Sequence, residues 1–184
     1  MSAFEYFSVL VSIILGLAVV HLLGGVSLIL DQRIQARVSW LHLIWVLNMF
    51  SLITWVWWGN WQLNDIESFS SVHYVAMVLF SVVLYLMCGL LFPVKGREVE
   101  DFDEQFEMNR SRFFYLGQAL VAAALLKGYV DRQVLEEPDT LERFVVLAAL
   151  AVLFGIAART SARVYHLALG LTFHALTLRW ILTE

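Results

Sequence analysis

Long apolar runs separated by short polar stretches dominate the chain, and most runs are about as long as a membrane-crossing helix. A helix needs about 20 predominantly apolar residues to cross the hydrocarbon core of a bilayer. Six runs meet this requirement and predict an all-α, polytopic membrane protein, a six-transmembrane-helix bundle that forms one domain over residues 1–184. The predicted helices cover residues 4–30, 40–58, 72–92, 113–130, 141–158 and 162–182.

One long polar stretch interrupts this pattern between the third and fourth runs. Within it, Val99, Phe102 and Phe106 recur at close to helical spacing, and acidic residues fall on the opposite face. This spacing predicts an amphipathic helix over about 97–110 that lies along the cytoplasmic membrane surface. An acidic face is unfavourable beside an anionic leaflet, so docking of this segment onto the protein itself is the alternative.

Composition supports a membrane protein and excludes one class of partner. Hydrophobic residues make up 60% of the chain and charged residues 15%, and the mean hydropathy is +0.74. Soluble domains carry about 25% charged residues, so the expected partner of this surface is the lipid bilayer. The net charge is −4 and no basic patch has the density that phosphate contacts need, so we expect no nucleic acid partner.

The basic residues predict the orientation. Eight of the twelve Lys and Arg residues lie in or beside the first, third and fifth connections, and the second connection has none. Because basic connections stay on the cytoplasmic side, this asymmetry predicts a bacterial inner (plasma) membrane protein with periplasmic N- and C-termini.

Polar side chains at membrane depth are the candidate functional groups. The sixth helix carries a stripe of polar or small residues at intervals of three or four: Arg163, His166, Gly170, His174 and Thr177. Such a stripe should face the bundle interior, a cavity or another subunit rather than lipid. Association into a homo-oligomer or a larger membrane complex would cover it.

Other helices place polar groups at similar predicted depths. His21 in the first helix and Asn48 in the second are near the level of His174, whereas His42 and His166 are nearer the cytoplasm. We therefore predict a polar interior formed by His21, Asn48, His166, His174 and Thr177. Near the opposite end, Glu5 and Arg179 lie at comparable depths and are candidates for an interhelical ion pair.

Four interpretations of this interior stay open. The polar groups can form structural hydrogen bonds between helices, or they can line a path for protons or small ions in a channel or transporter. Histidine pairs, His21 with His174 or His42 with His166, can instead be axial ligands of a b-type haem. The protein can also be a non-catalytic accessory or assembly subunit.

Enzyme motifs are missing from the sequence. We find no HExxH, GxSxG or Gly-rich phosphate loop, so we expect no catalytic residues. The acidic residues near 100–107 lack the glycine turn of a calcium loop. We therefore expect no metal site and, apart from the haem alternative, no cofactor.

Overall fold

Six α-helices make up almost all of the structure. The computed structural model describes residues 3–31, 37–64, 69–92, 101–135 and 141–183. The helices are α1 (Ala3–Leu30), α2 (Trp40–Trp61), α3 (Ser71–Leu91), α4 (Phe102–Leu135), α5 (Leu141–Arg159) and α6 (Arg163–Thr183). The predicted all-α fold is therefore confirmed over the described residues.

Serine side chains start two of these helices. The hydroxyl of Ser39 accepts a hydrogen bond from the backbone N–H of His42, and Ser70 accepts one from the N–H of His73. An N-cap of this kind satisfies one of the backbone donors that the first turn leaves without an intrahelical partner.

Among the described residues, five helices, not six, are long and apolar enough to cross a membrane: α1 to α5. The structure therefore supports a helical membrane bundle with five candidate spans, one fewer than the six that the sequence predicts. The sixth helix differs in composition because Arg163, His166, His174 and Arg179 share its 21 residues.

The predicted amphipathic segment is not a separate helix. Residues 97–100 of that segment lie outside the described residues, and from Phe102 onward the chain is one helix of 34 residues that ends at Leu135. No proline or glycine interrupts positions 102–116, so nothing forces a break. Phe102 and Phe106 are buried in the bundle, which supports docking onto the protein rather than a position along the membrane surface.

α2 occupies the centre of the bundle. It contacts α1, α3, α4 and α6, whereas α1 and α6 do not contact each other within the described residues. Residue pairs along the helices give their directions. Phe7 meets Tyr74 and Trp55 stacks on Trp180, so α1 runs parallel to α3 and α2 runs parallel to α6.

The two ends of the bundle differ. We use the name tryptophan end for the end at which α1 begins and α2 ends; it carries the exposed side chains of Trp57, Trp58 and Trp61. Indole rings favour the headgroup level of a bilayer. At the opposite end, Phe102 lies against His42 with ring centroids 4.8 Å apart. The backbone of Phe102 also donates a hydrogen bond to the carbonyl of Arg37, at 3.1 Å.

Candidate functional site

A cavity of about 400 Å³ lies among α2, α4, α5 and α6 at the tryptophan end. Its deeper wall is apolar and consists mainly of the side chains of Leu52, Leu120, Val121, Leu150, Phe154 and Phe173. Its rim carries six charged residues: Lys127, Asp131, Arg132, Glu142, Arg143 and Arg179. The site is therefore amphipathic, with an apolar interior below a charged mouth.

The cavity exists because α5 and α6 pack on different neighbours. α5 lies along α4, where Gln118 Nε2 donates to the carbonyl of Ala151 at 2.9 Å. A β-carbon at Gly117 would lie 2.8 Å from Phe154 Cδ2, so the glycine allows this close approach. The two helices are held together along their length.

α6 lies instead along α2. A β-carbon at Gly170 would lie 2.8 Å from Ile44 Cγ2, so a side chain there would separate these helices. Nδ2 of Asn48 donates to the carbonyl of Gly170 at 2.9 Å. This bond fixes the Asn48 oxygen as the acceptor for Nδ1–H of His174, at 3.1 Å. Both polar ends of Asn48 are thus used between α2 and α6.

α5 and α6 therefore diverge from their short connection toward the tryptophan end. Near the connection, the hydroxyl of Tyr165 donates to the carbonyl of Leu153 at 2.8 Å. At the far end, Arg179 Nη2 lies 2.6 Å from Glu142 Oε1, with both side chains more than half exposed. This ion pair bridges the two helices across the cavity rim.

Arg143 crosses the rim from α5 to α4. Its Nη2 donates to the carbonyl of Ala124 at 2.9 Å, and its guanidinium occupies the space where a β-carbon of Gly128 would be. A side chain at position 128 would therefore displace the Arg143 guanidinium from this position.

A buried ion-pair network joins the rim to α3. Asp131 Oδ2 lies 2.5 Å from Lys127 Nζ, and its Oδ1 lies 2.8 Å from His73 Nε2. The His73 side chain is 0% exposed, and those of Lys127 and Asp131 are 16% and 17% exposed. The network can hold one negative charge in contact with a lysine ammonium and an imidazole at a site of low water content.

The structure places the predicted interior residues in separate environments. His174 and Asn48 contact each other, whereas His21 is on α1, where its ring lies 6.3 Å from that of Phe92. Thr177 is buried and its hydroxyl donates to the carbonyl of Phe173 in its own helix, at 3.0 Å. None of these residues lines the 400 Å³ cavity.

The other two histidines pack against different aromatic rings. His42 stacks on Phe102 and its Nε2–H donates to the carbonyl of Leu91 at 2.6 Å. His166 stacks on Phe114 with centroids 5.2 Å apart and donates to the carbonyl of Thr160 at 3.0 Å. His42 and His166 thus pack on different rings, and His21 and His174 are on helices that do not contact each other within the described residues.

Glu5 and Arg179 are on helices that do not contact each other in the described part of the chain. Arg179 pairs with Glu142. Over the same residues, we find no group of three or more His, Cys, Asp or Glu side chains arranged to hold a metal ion.

Sequence reasoning missed the network of His73, Lys127 and Asp131. His73 was not among the predicted interior residues, yet its side chain is fully buried. One signal was present, because Lys127 and Asp131 are four residues apart in an apolar helix and therefore share a face. The contact with His73 depends on how α3 and α4 pack, which the local pattern does not contain.

No protein family model, curated protein or solved structure matches this chain.

Proposed function

We propose that this chain is an integral membrane protein that binds an amphipathic molecule, a lipid or a lipid-like metabolite, in the cavity between α5 and α6. The observation that carries this proposal is the division of the cavity into an apolar interior and a charged rim. An acyl chain fits the first and a polar headgroup fits the second.

The size and the setting of the cavity support this ligand class. Ligand pockets have volumes of about 300–1,000 Å³, and this cavity has about 400 Å³. Water inside an apolar cavity lacks hydrogen-bond partners, whereas hydrocarbon chains are available on every side of a membrane helix bundle. Divergence of α5 and α6 offers a lateral route from the bilayer.

Our proposal for the orientation comes from the chain's charges. The excess of basic residues in the first, third and fifth connections favours the bacterial inner membrane, with the rim and both termini on the periplasmic side. α6 runs beside α2 from Gly170 to Trp180, so we include it as a sixth crossing. A reporter-fusion map that places the termini on opposite sides would contradict this arrangement.

The ion path and the haem stay predictions, as do the accessory role and the homo-oligomer. The geometry favours the cavity over the histidines because Asn48 and His174 satisfy each other and because His42 and His166 are packed between aromatic rings. Structural hydrogen bonding explains these contacts without a conducted ion.

A pair of alanines on α4 gives a matched test. Ala124 lines the cavity, whereas Ala122, two residues earlier, is exposed on the outside of the bundle. Purified wild-type protein, Ala124→Trp and Ala122→Trp would be photolabelled with palmitate that carries a diazirine in its chain. We expect saturable labelling of wild type and Ala122→Trp, and loss of most labelling in Ala124→Trp.

Mapping of the labelled peptides makes the test independent of whether Ala124→Trp folds. In the wild type, the label should fall on the cavity-facing positions of α4 and α5, such as Val121 and Leu150. Labelling spread evenly over the outer surfaces of all helices, with no difference between the variants, would overturn the proposal.

A further inference from the structure

We infer that the ligand of this cavity carries a negatively charged headgroup that binds at Lys127, and that it is taken up together with one proton, which His73 receives. This inference rests on the proposed function and names the ligand class and the proton linkage of the same site.

Lys127 is the rim cation that contacts the buried carboxylate of Asp131, and an anion can take the place of that carboxylate. It lines the cavity and its ammonium contacts Asp131 at 2.5 Å, four residues along the same helix. The lysine stem is flexible, and its ammonium is a point charge that accepts an anion from many directions. A negative headgroup in the rim therefore competes with Asp131 for Lys127.

The Asp131 carboxylate needs a cation beside it both before and after the headgroup binds. Its side chain is only 17% exposed, and a carboxylate removed from water is strongly destabilised unless it is paired. When the headgroup draws the Lys127 ammonium away, the remaining neighbour of Asp131 is His73, whose Nε2 is already 2.8 Å from Oδ1. A proton on His73 restores an ion pair without a change in the packing of α3 on α4.

His73 has the chemistry for this exchange. Histidine is the side chain whose ordinary titration falls between pH 5 and 8. The charged groups that face His73 among the described residues are Asp131 and Lys127, both on α4. On its other side, the Phe69 ring lies 4.8 Å away and is backed by Phe7 of α1.

Charge balance is the consequence. One negative headgroup and one proton enter together, so the positive charge gained by the network of Lys127, Asp131 and His73 balances the charge of the headgroup.

Calorimetry with a permanently charged probe tests the linkage. Hexadecanesulfonate keeps its charge throughout the useful pH range, and monopalmitin has a chain of similar length without a charge. Each would be titrated into purified full-length protein at pH 7 in two buffers of different ionisation enthalpy, which counts the protons taken up per ligand. We expect uptake approaching one proton with the sulfonate and none with monopalmitin.

The variant His73→Gln separates His73 from Asp131 as the proton acceptor. The amide of glutamine can donate a hydrogen bond to a carboxylate but cannot take a proton. We expect the sulfonate to bind this variant without proton uptake. For the wild type, uptake of one proton per ligand means that the affinity falls by about tenfold for each pH unit over the range of that uptake.

The outcomes distinguish this inference from the proposed function. Sulfonate binding to the wild type without proton uptake would overturn the inference and leave the proposed function intact. Uptake that persists in His73→Gln would assign the proton to Asp131 and also overturn the inference. Failure of both amphiphiles to bind would overturn the proposed function itself.

Discussion

Asn48 and His174 join α2 to α6 near the middle of the bundle, with His174 Nδ1 and Asn48 Oδ1 3.1 Å apart. The second polar end of Asn48 donates to the carbonyl of Gly170, so the amide is fully used by α6. The bond explains why α6, which carries His174 and other polar side chains along its length, packs along the central helix. The bond also accounts for Asn48 and His174 at membrane depth through helix packing, without a role in transport or cofactor binding.

The effects of Asn48→Ala and His174→Ala on the free energy of unfolding should therefore not be additive. An interhelical side-chain hydrogen bond in a membrane protein contributes about 0.6–1.7 kcal/mol, so we expect a coupling of that size in a double-mutant cycle. The measurement is the free energy of unfolding in mixed micelles. A coupling near zero would show that the contact does not stabilise the bundle.

Substitution of two adjacent glycines in α1 should have opposite effects on stability. A β-carbon at Gly25 would overlap the ring of Phe92, whereas one at Gly24 would meet nothing within 4 Å. Phe92 also packs against His42 and Phe102, so its ring cannot move without disturbing that cluster. We expect Gly25→Ala to cost about 1–3 kcal/mol through overpacking.

The neighbouring variant is the control for this effect. Gly24→Ala should leave stability unchanged or raise it by up to about 1 kcal/mol, because alanine has the higher helix propensity. Thermal unfolding of the two variants in the same detergent is sufficient. Equal effects on stability would mean that α1 does not approach Phe92 as closely as described.

Arg110 stabilises the end of α5 from α4. Its Nη1 donates to the carbonyls of Ala157 and Ala158 at 3.1 and 3.3 Å, and also to that of Thr160. These are carbonyls at a helix C-terminus, where positive charge is favourable. Lysine keeps a charged donor but lacks the planar fork that binds Glu107 and these carbonyls at once, so we expect Arg110→Lys to lose about 0.5–1.5 kcal/mol, the range for one hydrogen bond.

Hydrogen exchange and chemical unfolding would test this role together. The amides at the end of α5 and in residues 160–162 should exchange faster in Arg110→Lys. Arg112→Lys is the matched control because Arg112 is exposed on the same helix. The same increase in exchange in both variants would point to a general effect of lost arginine rather than to capping.

The helical pattern was readable from the sequence because it depends on local apolar periodicity. The predicted interior of α6 depended on the same periodicity, and His166, Gly170 and Thr177 are buried. The single helix of α4 was not foreseen because the change from amphipathic to apolar pattern near residue 111 resembled a boundary. A change of environment along a helix does not require a break in its backbone.

The cavity and its network could not be derived in this way. The contact of His73 with Asp131 joins residues 58 positions apart and depends on the alignment of α3 with α4. The cavity forms because α5 packs on α4 while α6 packs on α2. This packing follows from side-chain fit between helices, as at Gly117 and Gly170. The hydrophobic pattern of a single sequence does not show which helices will fit together.

The ion pair between Glu142 and Arg179 should control access to the cavity. It is the contact that joins α5 and α6 across the rim, where the two helices have diverged. Cysteines at both positions, joined by a short bis-maleimide, would hold the helices together covalently. We expect bound palmitate to exchange with added vesicles much more slowly after cross-linking, because the lateral route between α5 and α6 is closed.

Cross-linking the same helices at their closed end is the control. Cysteines in place of Leu153 and Tyr165, which contact each other there, should leave the exchange rate unchanged after joining. The native Cys88 is buried and should not react in the folded protein. If cross-linking at Glu142 and Arg179 does not slow exchange, the ligand enters by another path, and the divergence of α5 and α6 serves only to shape the cavity.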